Sequence, residues 1–581
     1  MRKGITAVLL LLTVIVSSAF GYSNQQKIYS VDSGIYKEME TLYILAGQAL
    51  PSSAGPWSEA ELQLMLGRID RNSLSETARK YYDSIKAQIT TEPKMQYKDN
   101  FAMQFGMDAD LELYLHTNEE FKDSDEWFHG YTYRNPLLRF TFETWPTDLF
   151  YGYFELTVGN SMGRVGDNEL YRTKFTFNIP IVDALLFTKT DILCNFDWSF
   201  PSRAFVAAGG EHWSLMAGRD KLSWGNGETG NLMLSDSFPR HTLVRFSTFF
   251  DAFKYSIVGT IYPLAVANQD KSLDGYKAMI VHRLEFNLLK NRLSLIVNEA
   301  CMFWSDPALD NQKFSLAQIN PFGFMHNEYI RRNANSLLVF EANYTPLAGL
   351  NIYGQLAVDE FNGPGEGKYN PAAFGYILGV KGSITRDKGI VTGGFEFART
   401  DPYLYIRGFT YDNPTRGYGF DAIYRSFKND GLVNRNMFTT YRYGNDVMIF
   451  DGKVGYQLPG VFRFGIEAMY RIHGSMNINS YWGAYHGNED QTPVVSTPTT
   501  FNPFDPEDYQ YGNPPDYSDG VILREHAVEK SFVLSLSGEY CITDGLTANL
   551  AADFLFVTNK GNIADNKQND IQITAGIKYS I

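Results

Sequence analysis

Residues 571–581 alternate without a fault. Ile571, Ile573, Ala575, Ile577, Tyr579 and Ile581 fall on one face, with Gln572, Thr574, Gly576, Lys578 and Ser580 on the other. Strict period two over that length describes a strand with one apolar and one polar face. The strand runs to the final residue, and an apolar strand left unpaired at a chain end invites edge-to-edge association. A closed barrel removes that edge by pairing the last strand with the first.

The same alternation recurs upstream. Leu546, Ala548, Leu550, Ala552, Phe554 and Phe556 oppose a mostly polar set that includes Asn549 and Asp553. Phe462, Phe464, Ile466, Ala468 and Tyr470 oppose Arg463, Glu467 and Arg471, and Leu350, Ile352, Leu356 and Val358 oppose Asn351, Gln355 and Asp359. Charged residues on the inner face favour a barrel over a sandwich, with a wet lumen as the expectation. At about 10 residues per strand plus turns and long loops, residues 96–581 make on the order of 16–18 antiparallel strands. The fold expected is therefore an all-β transmembrane barrel.

Composition agrees with that fold without proving it. Aromatics are 15% of the chain, with 37 Tyr, 42 Phe and 50 Gly, as expected where apolar side chains occupy alternate positions and aromatic girdles mark two interfaces. A soluble sandwich or propeller fits these numbers nearly as well. The net charge of −14 argues against nucleic acid as a partner, since neutralising phosphates needs basic patches.

The opening residues read as an export signal. Arg2 and Lys3 precede an apolar run over residues 5–16, and Ala19-Phe20-Gly21 is a small-x-small site, so residues 1–21 form a signal peptide cut near Gly21–Tyr22. Beyond it, no stretch reaches the ~18 apolar residues of a membrane helix. Cys194, Cys301 and Cys541 form neither a CxxC motif nor a disulfide framework.

Residues 22–95 carry a different period and read as a helical unit on the periplasmic side. Ser58 with Glu61, and Ser73 with Glu76, are capping boxes, followed by Leu62, Met65, Leu66 and Ile69, and by Ala78, Tyr81, Tyr82 and Ile85, at helical spacing. A further helix is expected over residues 39–49, ended by Pro51.

Two polar segments read as extracellular loops. Residues 116–129 are acidic and contain Trp127; residues 481–519 are rich in proline and contain Tyr481, Trp482 and Tyr485. Aromatic rings among carboxylates and amides suit sugars, whose apolar faces stack while their hydroxyls hydrogen-bond. Trp127, Tyr481, Trp482 and Tyr485 are the candidate ligand-binding residues, although such rings also mark membrane interfaces. Gly225-Asn226-Gly227-Glu228-Thr229-Gly230 matches GxGxxG in form, but no helix pattern follows it, so a dinucleotide site is rejected. No cofactor or metal is implied, and Ser235-Asp236 is too common a pair to support a hydrolase.

Several segments occur in order: Leu50-Pro51-Ser52-Ser53-Ala54-Gly55-Pro56-Trp57 followed by the capped helix, Ile69-Asp70 and Leu74-Ser75; Ala217-Gly218-Arg219-Asp220 through Trp224-Gly225-Asn226-Gly227 and Asn231-Leu232-Met233-Leu234-Ser235; Ile319-Asn320-Pro321, Asn335-Ser336-Leu337-Leu338 and Gly354-Gln355 to Asp359-Glu360-Phe361; and Phe397-Ala398-Arg399 with Asp401-Pro402-Tyr403. Together they resemble the Wzi-type capsule-assembly family of outer-membrane barrels. The resemblance implies a large barrel with a helical unit facing the periplasm, located in the bacterial outer membrane. It implies a non-enzymatic, lectin-like role in tethering capsular or exopolysaccharide. It also makes Glu299, Asn320, Gln355, Asp359, Glu360 and Arg399 candidates for a lumen network. The proline-rich loop has no counterpart in that pattern. Separately, Thr574, Gly576, Tyr579 and Ile581 resemble the C-terminal signal read by the barrel assembly machinery. A porin-like channel for small solutes is the alternative function, with an outer-membrane hydrolase behind it.

Overall fold

A computed structural model describes residues 26–89, 93, 95–97, 101–118, 135–158, 175–177, 202–263, 276–305, 334–361, 373–406, 419–428, 431–474, 476–478 and 527–581. The proposed signal peptide, Trp127, Tyr481, Trp482, Tyr485, Asn320 and Cys194 lie outside those residues.

Among the described residues, 18 strands close an antiparallel barrel. They are β1 (Phe101–His116), β2 (Leu138–Thr147), β3 (Phe150–Val158), β4 (Arg203–Gly210), β5 (Trp213–Asp220) and β6 (His241–Phe249). Then come β7 (Phe253–Pro263), β8 (Tyr276–Leu288), β9 (Leu293–Ser305), β10 (Ala334–Leu347), β11 (Leu350–Glu360) and β12 (Ala373–Arg386). The last are β13 (Gly389–Thr400), β14 (Val447–Leu458), β15 (Phe462–His473), β16 (Glu529–Thr543), β17 (Leu546–Thr558) and β18 (Lys567–Ser580). Sequential neighbours pair around the ring. The connections from β2 to β3, β4 to β5, and so on to β16–β17 are tight turns that define one rim, and the long connections define the other.

Closure falls on the strand that the alternation singled out. β18 pairs with β1 in register from Gln572↔His116 to Ser580↔Asp108. The backbone N–H of Ile581 donates to Met107 O at 2.9 Å, so the pairing extends to the last residue. At the far end of the seam, the Asp570 carboxylate accepts from Thr117 N and Asn118 N, both at 2.9 Å, and lies 2.6 Å from His116 Nδ1.

The pleat sorts side chains as the sequence pattern requires. On β11, Asn351, Tyr353, Gln355, Ala357 and Asp359 are buried inward, whereas Ile352 is half exposed on the outside. Phe105, Phe154, Val206, Val244, Ile261, Leu378, Phe395, Val454 and Leu550 also stand exposed on the outer wall. An apolar exterior of this kind is stable against hydrocarbon, where every backbone group must find its partner in the ring.

Among the described residues three α-helices precede the barrel: α1 (Ile35–Ala46), α2 (Glu59–Gly67) and α3 (Glu76–Ile89). Each departs from the sequence expectation in a way the caps explain. α1 begins earlier than residue 39 and ends before Pro51, because Gly47 adopts φ +73° and donates to Ile44 O. At α2, Ser58 accepts from Glu61 N at 3.3 Å, as a capping box requires. The Glu61 carboxylate does not reach back; Lys254 of the wall takes it instead. α3 is capped by Ser75, which accepts from Ala78 N at 3.3 Å, while Ser73 sits in the preceding 3₁₀ turn.

Met39, Leu42, Tyr43, Leu62, Met65, Ile69, Tyr81 and Ile85 form the small core of this unit, and Ile390 of β13 completes it. The unit sits on the tight-turn rim. Ala49 N donates to Asn291 O (2.7 Å), Gly349 N to Ile44 O (2.8 Å), Arg68 Nη2 to Phe250 O (2.8 Å) and Thr77 Oγ1 to Asp387 O (2.8 Å). Placing a charge on the outer wall is expected to be costly: Leu378→Arg should destabilise the barrel by about 2–4 kcal/mol, and Leu378→Ala by much less. Denaturant titration in phospholipid vesicles, followed by the heat-modified gel shift, measures the difference.

Candidate functional site

The inner wall carries charges, and the lumen supplies a partner for many of them. The first group to enter is the segment between α1 and α2. Ser53 meets the guanidinium of Arg283 (β8), which also holds Glu285 at 2.8 Å, Glu341 (β10) at 2.5 Å and Asn298 (β9) at 2.8 Å. Lys254 (β7) donates to Ser52 Oγ at 2.9 Å and Ala54 O at 3.1 Å, and Arg245 (β6) donates to Pro56 O. Arg283 is fully buried. Away from water an unpaired guanidinium is costly, so this wall is stable only with its carboxylates and the N-terminal segment in place.

A second segment, residues 221–240, turns inward from the end of β5. Ser223 and Trp224 pair antiparallel with Gly55 and Ala54, and Trp224 Nε1 donates to Gly55 O at 3.1 Å. Leu232, Met233, Leu234 and Phe238 are buried in the barrel interior. The glycine-rich stretch forms the bend. Gly225 and Gly230 hold φ near +138° and +132°, and a Cβ on Gly225 would strike the Asn231 side chain. GxGxxG here therefore serves a tight lumenal path, with no helix after it.

Four wall residues hold this loop. Glu396 (β13) accepts from Glu228 N at 2.7 Å, Thr229 N at 2.8 Å, the Thr229 hydroxyl, and Tyr353 OH at 2.7 Å. Gln355 accepts from Leu232 N at 2.9 Å and donates to Asn231 Oδ1 at 3.0 Å. Lys381 (β12) lies 2.7 Å from one Glu228 oxygen, and Lys453 (β14) pairs with the other. Burial works to raise the Glu228 carboxyl, but the two ammonium groups outweigh it and hold Glu228 well below the usual carboxylate range.

The described parts of residues 401–446 fill the space towards the loop rim. Tyr405 N donates to Asp359 at 2.8 Å and Tyr405 OH to Leu232 O at 3.0 Å. Lys277 (β8) holds Asp421 at 2.9 Å. Tyr441 OH lies 2.7 Å from Thr229 Oγ1, and Tyr443 OH donates to Met469 Sδ at 3.4 Å. Over this arc the expected wet lumen gives way to inserted chain, and the inner wall also contributes Tyr353, Ala357, Met469, Val533 and Leu555 to one apolar cluster. Elsewhere inner-face charges pair within the wall, Arg471 with Glu529 at 2.7 Å and the exposed Arg463 with Glu539 at 3.4 Å.

The expected lumen residues separate accordingly. Gln355 and Asp359 are latches, and Asp359 also accepts from Asn335 at 2.9 Å. Glu299 is buried on β9 beside His282 and Leu338. Glu360 is half-buried at an irregularity ending β11. Arg399 shares the outward parity of Phe395 and Phe397, next to Tyr376, and pairs with Asp401 at 3.5 Å, so it belongs to the outer rim. Thr574 and Gly576 face inward, and Tyr579 and Ile581 outward. Arg283, Lys381, Glu396 and Lys453 were missed; each is a charge at an inward strand position, and that parity was the available signal. Ser235 is fully buried, its hydroxyl 3.4 Å from Asp236.

A closed antiparallel ring with an apolar exterior and a charged, occupied interior is the fold of an outer-membrane β-barrel. Among solved structures, Wzi of Escherichia coli, an outer-membrane protein involved in group 1 capsule assembly and described as a carbohydrate-binding β-barrel, aligns over 95% of this chain and 98% of its own, with TM-score 0.55 and 14% identity. At that identity the likeness is one of fold. OprD of Pseudomonas aeruginosa (TM-score 0.36, 11% identity, 84% of this chain and 97% of that one) and the channel DcaP of Acinetobacter baumannii (0.35, 8%, 84% and 100%) are too distant to carry an argument. No family model and no curated protein matches the sequence.

Two outcomes follow from the buried charges. Arg283→Ala strands Glu285 and Glu341 and should cost about 3–5 kcal/mol, read as a lower denaturant midpoint; Arg283→Ala combined with Glu341→Ala should recover part of the loss. Glu59, buried at the start of α2 beside Lys27, is pushed up to about 7 by burial. The folded state therefore holds its proton where the unfolded chain has lost it, so stability present below about pH 4.5 falls as pH rises to about 7, by an amount on the order of 3 kcal/mol. The protection of α2 amides, taken relative to their intrinsic exchange rate at each pH, should fall over that interval in the native chain and stay constant in Glu59→Gln.

Proposed function

We propose that this chain resides in the bacterial outer membrane and binds or tethers surface polysaccharide without catalysing a reaction. The observation that carries this reading is the occupied lumen. Segments entering from both rims bond to the wall and to each other, which leaves recognition to the surface at the loop rim. The fold likeness to a carbohydrate-binding barrel over nearly the whole of both chains supports the same reading. So do the loop residues Trp127, Tyr481, Trp482 and Tyr485, whose ring faces suit sugars. In this reading the tight-turn rim and its helical unit face the periplasm, following the barrel norm of short periplasmic turns. Membrane lipid contacts the apolar outer wall, and Thr574, Gly576, Tyr579 and Ile581 present the signal to the assembly machinery.

Two measurements test it. In planar bilayers the purified barrel should pass little current; regular large steps would favour a porin-like channel instead. On an array of bacterial surface glycans the native barrel should bind, and Trp127→Ala with Trp482→Ala should lower that binding by about tenfold or more, as expected for the loss of stacking rings worth ~0.5–1.5 kcal/mol each beyond their buried area. Absence of binding to every glycan would overturn the lectin role.

A further inference from the structure

The helical unit and the inward loop 221–240 are joined by an ion pair where the loop begins, Lys221 Nζ lying 2.8 Å from Asp32, and at two further places. At the first, the pairing of Ala54–Gly55 with Ser223–Trp224 is extended by Gly225 N donating to Ser53 O at 3.0 Å. At the second, one wall cation serves both bodies. Lys381 Nζ lies 2.7 Å from Glu40 of α1 and 2.7 Å from Glu228 of the loop, and it donates to Asn226 O at 2.9 Å. Its side chain is 5% exposed, so neither carboxylate can leave it and be replaced by bulk water at little cost.

The contacts continue upward. Thr229, next to Glu228, shares its hydroxyl with Glu396 and Tyr441, and Leu232 O accepts from Tyr405. Tyr405 and Tyr441 belong to the segment at the loop rim. Bonded groups thus run without a break from α1 at one mouth, through Lys381 and the loop, to Tyr405 and Tyr441 towards the other.

We propose that these parts form one composite plug that couples the two mouths of the barrel. An event that shifts Tyr405 and Tyr441 at the loop rim is transmitted through Glu228 and Lys381 to α1, where the helical unit presents the change to the compartment on its side. Because both bodies depend on the same buried ammonium, the coupling works in both directions: loosening α1 loosens the loop to the same degree. The idea does not rest on polysaccharide binding and holds whatever engages the surface.

Hydrogen–deuterium exchange on the full-length barrel in lipid nanodiscs tests it. Glu396→Ala removes an anchor that bonds the loop and Tyr353 and makes no hydrogen bond to the helical unit. Exchange should accelerate at residues 226–232 and also in α1, by a factor within the roughly 5–150-fold usual for coupled sites. Glu40→Gln, made in α1, should accelerate exchange in the loop. Lys381→Arg, which keeps the charge, should disturb both less than Lys381→Met. Asp570→Asn at the β1–β18 seam is the control and should leave α1 and the loop unchanged. Should Glu396→Ala fail to give a heat-modifiable barrel, Thr229→Val, which removes only the shared hydroxyl, takes its place. Faster exchange in the loop with α1 unaltered, or in α1 with the loop unaltered under Glu40→Gln, overturns the coupling.

Discussion

Charges on the inner wall determine how this barrel is filled. A carboxylate or ammonium facing a lumen must meet water or a counter-charge, and burial without a partner costs several kcal/mol. Here Arg283, Lys381 and Lys453 are met by carboxylates, and Glu396 by two backbone N–H groups and two hydroxyls. Several of the partners come from segments that are not wall at all. The inserted chain is therefore part of the electrostatic solution, and the wall could not keep those charges buried without it.

This explains why the filling comes from both ends. A ring of 18 strands is wide for a single segment to fill, since interior width grows with strand number. The N-terminal segment satisfies the β6–β10 arc through Lys254, Arg283 and Arg245, while the loop 221–240 satisfies the β11–β14 arc through Gln355, Lys381, Glu396 and Lys453. Each also covers the other's backbone: Ala54–Gly55 and Ser223–Trp224 would be open edges alone and form a ladder together.

The outside of the molecule was legible in the sequence, and the inside was legible only in part, for one physical reason. Lipid is uniform, so every outward position meets the same demand and the chain answers with strict period two, as at Ile573 and Ile577 or Leu550 and Phe556. The inner positions face whatever the chain happens to bring there. Glu467 and Glu396 look alike in sequence, both polar residues on the inward parity of a strand, and nothing local says that Glu396 will bind a loop from 167 residues away. Gln355 and Asp359 were legible as lumen residues, but their partners Leu232 and Tyr405 were not. Arg399 was misplaced because its charge was read ahead of its parity with Phe395 and Phe397. The capping boxes show the same limit at short range: Ser58 caps α2 as read, yet Glu61 answers to Lys254, nearly two hundred positions along the chain.

The glycines of residues 225–230 show how a lumenal path can imitate a motif. A dinucleotide loop needs glycines so that backbone can approach a phosphate and a helix can start behind it. The inserted loop needs them for a related reason, close approach of backbone to side chains in a crowded interior. Gly225 sits against Asn231 and Gln355, and Gly230 against Tyr441. The shared requirement is a tight path around an electronegative group, and in this chain that group is the carboxylate of Glu396, which accepts from the N–H groups of Glu228 and Thr229. The wall thus supplies the anion that a nucleotide would bring elsewhere. That is why the pattern arises in a barrel with no helix after it, and why the loop it shapes is held by the wall.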